Sequence, residues 1–272
     1  MTNFVLRRII GVVIVAVLTL LLLVATRTME SALLSPRTWL GWLLVVIVLF
    51  LASYRVRKQF SMLPLGSSAG WLQCHIYVGL LSLPVFLLHS GAQWPGGLIE
   101  VMTGLLFLIV FCTGVVGLIL TRTIPPRLTD RGEEVIRERI PVFIRILREE
   151  AEAAVAGAKD EAPSEVLSEL YLRRLHSFFQ RPTNFFSHVI HSAKPRTGLL
   201  SALADTRRFL NTQDEQTMER LAECVRRKDD LDYQYTMQSL LKYWLFLHVP
   251  LTWAMIVFAS CHVVTAMAYT SQ

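Results

Sequence analysis

The sequence predicts an all-α fold: an integral membrane helical bundle of five spans, with a cytoplasmic helical insertion between spans four and five. Three observations predict it. The 272 residues are 53% hydrophobic and only 18% charged, whereas charged residues make up about 25% of a soluble domain. The charge is unevenly spread: residues 122–242 hold 20 Lys and Arg and 19 Asp and Glu, residues 1–121 hold seven and two, and residues 243–272 hold none. Within residues 122–242 no stretch alternates apolar and polar residues as a half-buried strand does. Intrinsic disorder, which needs few apolar groups and much charge, is excluded. Three regions follow: 1–121 with spans one to four, 122–242 as the insertion, and 243–272 with the fifth span that completes the bundle.

Each span is a run near the 20 apolar residues that a bilayer crossing requires. The runs are roughly 9–26, 38–54, 70–91, 98–121 and 243–268. The first follows Arg7 and Arg8, as a signal peptide would. Its apolar stretch from Ile9 to Ala25 is longer than a usual signal core and no clean A-x-A follows, so it reads as a retained helix. Lys and Arg gather on the cytoplasmic side of membranes. Arg7 and Arg8 precede span one, Arg55, Arg57 and Lys58 follow span two, and Arg122, Arg127 and Arg131 follow span four. Loop 92–97 and the C-terminal tail are uncharged. The expectation is a multi-pass protein of a bacterial-type cytoplasmic (inner) membrane, N-terminus cytoplasmic and C-terminus extracytoplasmic. Arg27 and Arg37 on the outer side dissent mildly. Trp39, Trp42 and Trp94 would form the outer aromatic belt, and Trp71, Tyr243 and Trp244 the inner one.

The insertion reads as helical. Asp130 to Glu133 make a capping box ahead of Val135, Ile136, Ile140, Ile144 and Leu147, an apolar stripe at helical spacing that Pro141 would kink. Ser164 caps a second helix to about Gln180. Residues 181–197 read as a loop and 198–211 as a third helix. Thr212 to Glu215 form another capping box, opening a long helix that runs straight into span five. The near-balance of charge makes this a solvated helical domain, not a nucleic-acid binder. Cys74, Cys112, Cys224 and Cys261 form no C-x-x-C, which argues against a zinc site or covalent c-type haem. The three in apolar segments read as small buried hydrophobes.

Four of the seven histidines lie inside spans: His75 and His89 in the third, His248 and His262 in the fifth. Both pairs have the form H-x13-H. Fourteen residues make about 3.9 helical turns, so each pair shares nearly one face, its members about 21 Å apart along the axis. Both spans run in the same direction. Two helices therefore offer facing pairs at two depths, His75 with His248 on the inner side and His89 with His262 on the outer. Buried histidines can make ordinary interhelical hydrogen bonds, but ionisable groups in a bilayer are costly and usually functional. Iron in a porphyrin has two open axial positions that neutral imidazole fills well. Small residues flank the histidines and permit approach of a flat ligand. The third-span face reads His75, Gly79, Ser82, Phe86, His89, and the fifth-span face His248, Thr252, Met255, Ala259, His262. Pro84 and Pro250 are positioned to bend these helices. A zinc or copper site would want its ligands clustered in one place.

On these paired motifs the sequence resembles the dihaem b-type membrane cytochromes. They comprise respiratory cytochrome b and the transmembrane core of ferric reductases and NADPH oxidases, and the placement on spans three and five is more similar to the latter. The stretch KDDLDYQYTMQSLLKYWLFLHVPLTWAMIVFASCHV also resembles small bacterial cytochrome b subunits that partner multihaem c-type cytochromes. The resemblance covers the spans and not the insertion. It implies two non-covalent b haems, ligated through iron by His75 with His248 and by His89 with His262, with Gly79 beside one of them. Gly104, Gly114 and Gly117 of span four do not match the spacing of the paired glycines in respiratory cytochrome b.

The implied function is transmembrane electron transfer as a subunit of a redox complex, with no catalytic site of its own evident. The chain has no G-x-G-x-x-G motif, so donor and acceptor come from elsewhere: a quinone, a cytosolic iron–sulfur or flavin protein, or a c-type cytochrome outside. A stand-alone reductase of ferric iron or oxygen and a haem-free membrane adaptor are the rival readings. Lesser signals read as structural. His188, His191 and His176 are surface or packing residues unless they touch a cofactor. Arg226, Arg227 and Lys228 before Asp229, Asp230 and Asp232 form a solvated, self-pairing face or a docking patch. Arg122 and Arg127 anchor the helix at the interface.

Overall fold

A computed structural model describes residues 2–32, 35–59, 67–93, 96–129, 135–157, 165–210 and 212–270. It is all-α. Four long helices open the chain: α1 (Thr2–Ser31), α2 (Pro36–Gln59), α3 (Ser68–Ser90) and α4 (Leu98–Thr129). Shorter ones follow: α5 (Ile140–Gly157), α6 (Glu165–Leu170), α7 (His176–Gln180), α8 (Phe185–Val189) and α9 (Lys194–Thr206). A π-helical turn at Tyr171–Leu175 joins α6 to α7, and α10 (Thr212–Thr270) is one helix of 59 residues. Five helices are long and apolar enough to cross a bilayer: α1 to α4 and α10. The chain is thus a multi-pass helical membrane protein with the lipid bilayer as its solvent.

The chain forms two compact units, Met1–Leu118 with Leu245–Gln272, and Ile119–Trp244. In the first, α2 and α1 pack closely on α3. Leu40, Ile47 and Val85 are buried at the α2–α3 seam, with Leu22 of α1 against them. Gly11 of α1 lies under the Tyr77 ring of α3, which leaves no room there for a Cβ. Much of α1 faces outward with large apolar side chains, Leu20 at 62% and Leu21 at 59% exposure. In a membrane span such faces meet lipid, so they cost nothing there. Ser67 caps α3, its hydroxyl accepting from the Gly70 N–H, and Gly91 ends the helix in the left-handed region at φ 63°. Trp39, Trp42 and Tyr243 are exposed, and Trp71 stacks on Phe50.

The second unit has a conventional apolar core. Leu147 and Ala151 of α5, Leu167, Tyr171, Leu175, Phe179, Leu203 of α9, and Leu221, Cys224 and Val225 of α10 close on one another. Gln234 and Gln238 of α10 hold the segment before α5. Gln234 Oε1 accepts from Val135 N–H, Gln238 Nε2 donates to Val135 O, and Gln238 Oε1 accepts from Arg137 N–H, each at 2.8 Å.

Several expectations are corrected here. Val135 and Ile136 precede any helix, a short 3-10 turn covers Arg137–Arg139, and Pro141 sits in the first turn of α5, where its missing N–H costs nothing, instead of kinking a helix. Residues 181–197 are not all loop: α8 lies within them and α9 begins at Lys194 and ends at Thr206. Cys74, Cys112 and Cys261 are exposed, and Cys224 is the buried cysteine. An apolar span has an outer face turned to lipid, so apolar surroundings in sequence do not mean burial in protein. Lys228, Asp229 and Asp232 are buried and not a solvated face, although Arg226 and Arg227 remain exposed. The capping box at 130–133, the Ser164 cap, Arg131 and Trp94 lie outside the described residues, as do the side chains of Arg7, Arg55, Arg57, Lys58 and Thr212.

Candidate functional site: two histidine pairs

The four span histidines lie in the first unit. His89 of α3 and His262 of α10 face each other with ring centres 6.3 Å apart and planes at 84°. His75 and His248 lie within electrostatic reach of each other. Both meetings have the same offset along the two helices, so α3 and the end of α10 run in one direction.

A direct N–H···N bond of about 2.9 Å would bring imidazole centres to about 5 Å. At 6.3 Å between ring centres, His89 and His262 meet edge to face without such a bond.

Neighbouring helices fix the rings. The His89 Nδ1–H donates to the Arg37 carbonyl in the first turn of α2 at 2.8 Å. That assigns the ring its tautomer and leaves Nε2 with a free lone pair, the form that binds a metal. His248 Nδ1 is 2.8 Å from the Thr113 hydroxyl of α4. That hydroxyl gives its one proton to Val110 O at 2.9 Å, so it accepts from the ring. Two glycines make room for the imidazoles. A Cβ on Gly41 would fall 2.9 Å from His89 Cε1, and one on Gly114 would fall 3.7 Å from His248 Cε1. His75 packs against Tyr54 with ring centres 5.2 Å apart. The Nδ1 atoms of His75 and His262 are buried without a hydrogen bond to protein, the Leu51 backbone approaching His75 without closing one.

Of the residues expected from sequence, His75, His89, His248 and His262 come together in twos. Gly79 faces α2, its nearest neighbour Leu51 Cδ2 at 4.0 Å. Ser82 is buried, its hydroxyl donating to Gly79 O. Phe86 stacks on Phe107 of α4. Gly41 and Thr113 escaped sequence reading, Arg37 was read only as a charge, and Gly114 only as a glycine of unmatched spacing. Thr113 and Gly114 carried a signal, a polar residue beside a glycine in an apolar span. A backbone carbonyl such as that of Arg37 carries none. No group of three or more His, Cys, Asp or Glu that would hold a metal ion occurs among the described residues.

The other histidines lie in the second unit. His188 is buried, 3.8 Å from Asp229, and packs edge-on against Tyr233. His191, at φ 58°, also packs on Tyr233 and contacts Arg127 Nη1 at 2.6 Å. His176 pairs with Gln180. Lys228 Nζ donates to Asp232, to Thr183 Oγ1 and to Arg181 O, and lies over the Phe178 ring. Burial lowers the Lys228 pKa and pushes the Asp232 carboxyl up to about 6.

Comparison of the chain with protein-family models, with curated proteins and with solved structures finds no match in any of the three.

Proposed function

We propose that this chain is the electron-transfer subunit of a membrane redox complex and holds two non-covalent b haems, one between His75 and His248 and one between His89 and His262. The observation that supports the reading is the meeting of histidines from α3 and α10 at matched positions, His89 with His262 and His75 with His248. A haem iron supplies one-electron chemistry, and the protein supplies its position and surroundings.

The chain's own residues fill defined roles in this reading. His75, His89, His248 and His262 would hold the haem irons. The Arg37 carbonyl and Thr113 hold two of them in the neutral, metal-binding tautomer. Gly41 and Gly114 keep space open for the rings. The two levels, about 21 Å apart along each helix, would divide a bilayer crossing into short steps. In the proposed orientation the N-terminus and residues 122–242 are cytoplasmic, the C-terminus is extracytoplasmic, and the membrane is a bacterial-type inner membrane. Electrons would pass between a quinone or a cytosolic iron–sulfur or flavin protein on one side and a c-type cytochrome on the other.

The test is direct. The purified chain should show a reduced-minus-oxidised b-type spectrum and about two extractable haems per chain. A colourless protein, reproducibly free of haem after expression with ample haem supply, sinks the proposal.

A further inference from the structure

The two members of each pair are held differently. In the outer pair His89 is tied by its Nδ1–H to the Arg37 carbonyl, while His262 Nδ1 is buried with no protein partner. In the inner pair His248 is tied to Thr113, while His75 has only the Leu51 backbone nearby and its Nδ1 closes no hydrogen bond with it. The tied ring is on α3 in one pair and on α10 in the other. Its partner is supplied by the neighbouring helix, α2 or α4. A donated Nδ1–H fixes ring orientation and raises the basicity of Nε2, and loss of such a partner costs about 10- to 100-fold in metal affinity. A buried N–H with no acceptor adds nothing and carries the cost of desolvation.

We propose that each pair joins an anchoring ligand and an exchangeable one: His89 and His248 retain the two haems, and His262 and His75 are the ligands that give way. The inference rests on the haem reading above. It makes Thr113 a positioning residue, acting only through His248. It also puts the exchangeable position of the outer pair on α10 and that of the inner pair on α3.

Four single variants of the full chain, purified in detergent, test it by haem content and spin state. His262→Ala and His75→Ala should each keep about two haems, one of them now high-spin and five-coordinate. His89→Ala and His248→Ala should each fall to about one. Equal loss from both members of a pair, or the reverse order, overturns the proposal. Should an alanine variant fail to accumulate as folded protein, Thr113 decides the matter. Thr113→Val should speed transfer of one haem to excess apomyoglobin by about 10- to 100-fold, and Thr113→Ser should restore the wild-type rate. A Thr113→Val protein that holds its haems as the wild type does overturns it. A wild-type chain that binds no haem at all fails the underlying reading instead, and this one with it.

Discussion

At the scale of single residues, Gly41 is the position with least latitude near His89 and His262. Its missing side chain is what lets His89 lie against α2 and reach the Arg37 carbonyl. Gly41→Ala would put a methyl group 2.9 Å from His89 Cε1, closer than real contacts allow, so the ring must swing away. The expected cost is about 1–3 kcal/mol of overpacking. On the proposed haem reading, haem content should fall from about two toward one per chain, with the His75–His248 site intact, as measured by haem-to-protein ratio. The histidines themselves were legible in sequence, because an ionisable group in lipid stands out against its surroundings. Their supports were less so, since a main-chain carbonyl has no letter and a glycine in a span has several uses. The cysteines show a rule that reverses. Cys224, in the charge-rich segment, is the enclosed one, and burial pushes its thiol up to about 11. In water apolar groups are driven inward, whereas in lipid an outward face costs nothing, so burial could be read from composition only for the second unit.

At the scale of elements, α10 carries a buried ion pair where its sequence suggested a solvated charge run. Lys228 and Asp232 stand one turn apart and are fully enclosed, with Thr183 and the Arg181 carbonyl completing the set. The reason lies in the packing of residues 178–183 over this stretch, which spacing along α10 alone does not reveal. Removing one partner of a buried pair leaves a charge without compensation. Lys228→Met should therefore destabilise the second unit by about 3–5 kcal/mol, and adding Asp232→Leu should recover most of the loss. Urea titrations followed by circular dichroism would measure both. The exposed pairs Arg226–Glu223 and Arg227–Glu150 should contribute well under about 1 kcal/mol each. Helix limits were legible where composition changed sharply, as at the start of α10. They were not where a 3-10 turn or a helix of five residues, such as α8, leaves almost no periodic pattern.

At the scale of the whole chain, the all-α class and the five spanning helices could be read from hydropathy and length, because the bilayer imposes both. Five crossings would place residues before α1 and after α10 on opposite faces of the membrane. With the positive-inside bias, an N-terminal tag should be protease-accessible in inverted vesicles and a C-terminal tag in right-side-out vesicles. The opposite pattern would reverse the proposed direction of the chain, and with it the assignment of inner and outer histidines.

The continuity of α10 has a consequence for the order of assembly. Polypeptides emerge N-terminus first and tend to fold in that order. Leu221, Cys224 and Val225 belong to the core of the second unit, and His248 and His262 belong to the histidine pairs, yet all five come from this one late helix. A nascent chain halted before residue 212 would have its first four membrane helices but neither a closed second core nor a complete pair. The same stretch of translation would therefore complete both units, and a chain stalled before it would leave the apolar faces that α10 covers in the second unit open to proteases.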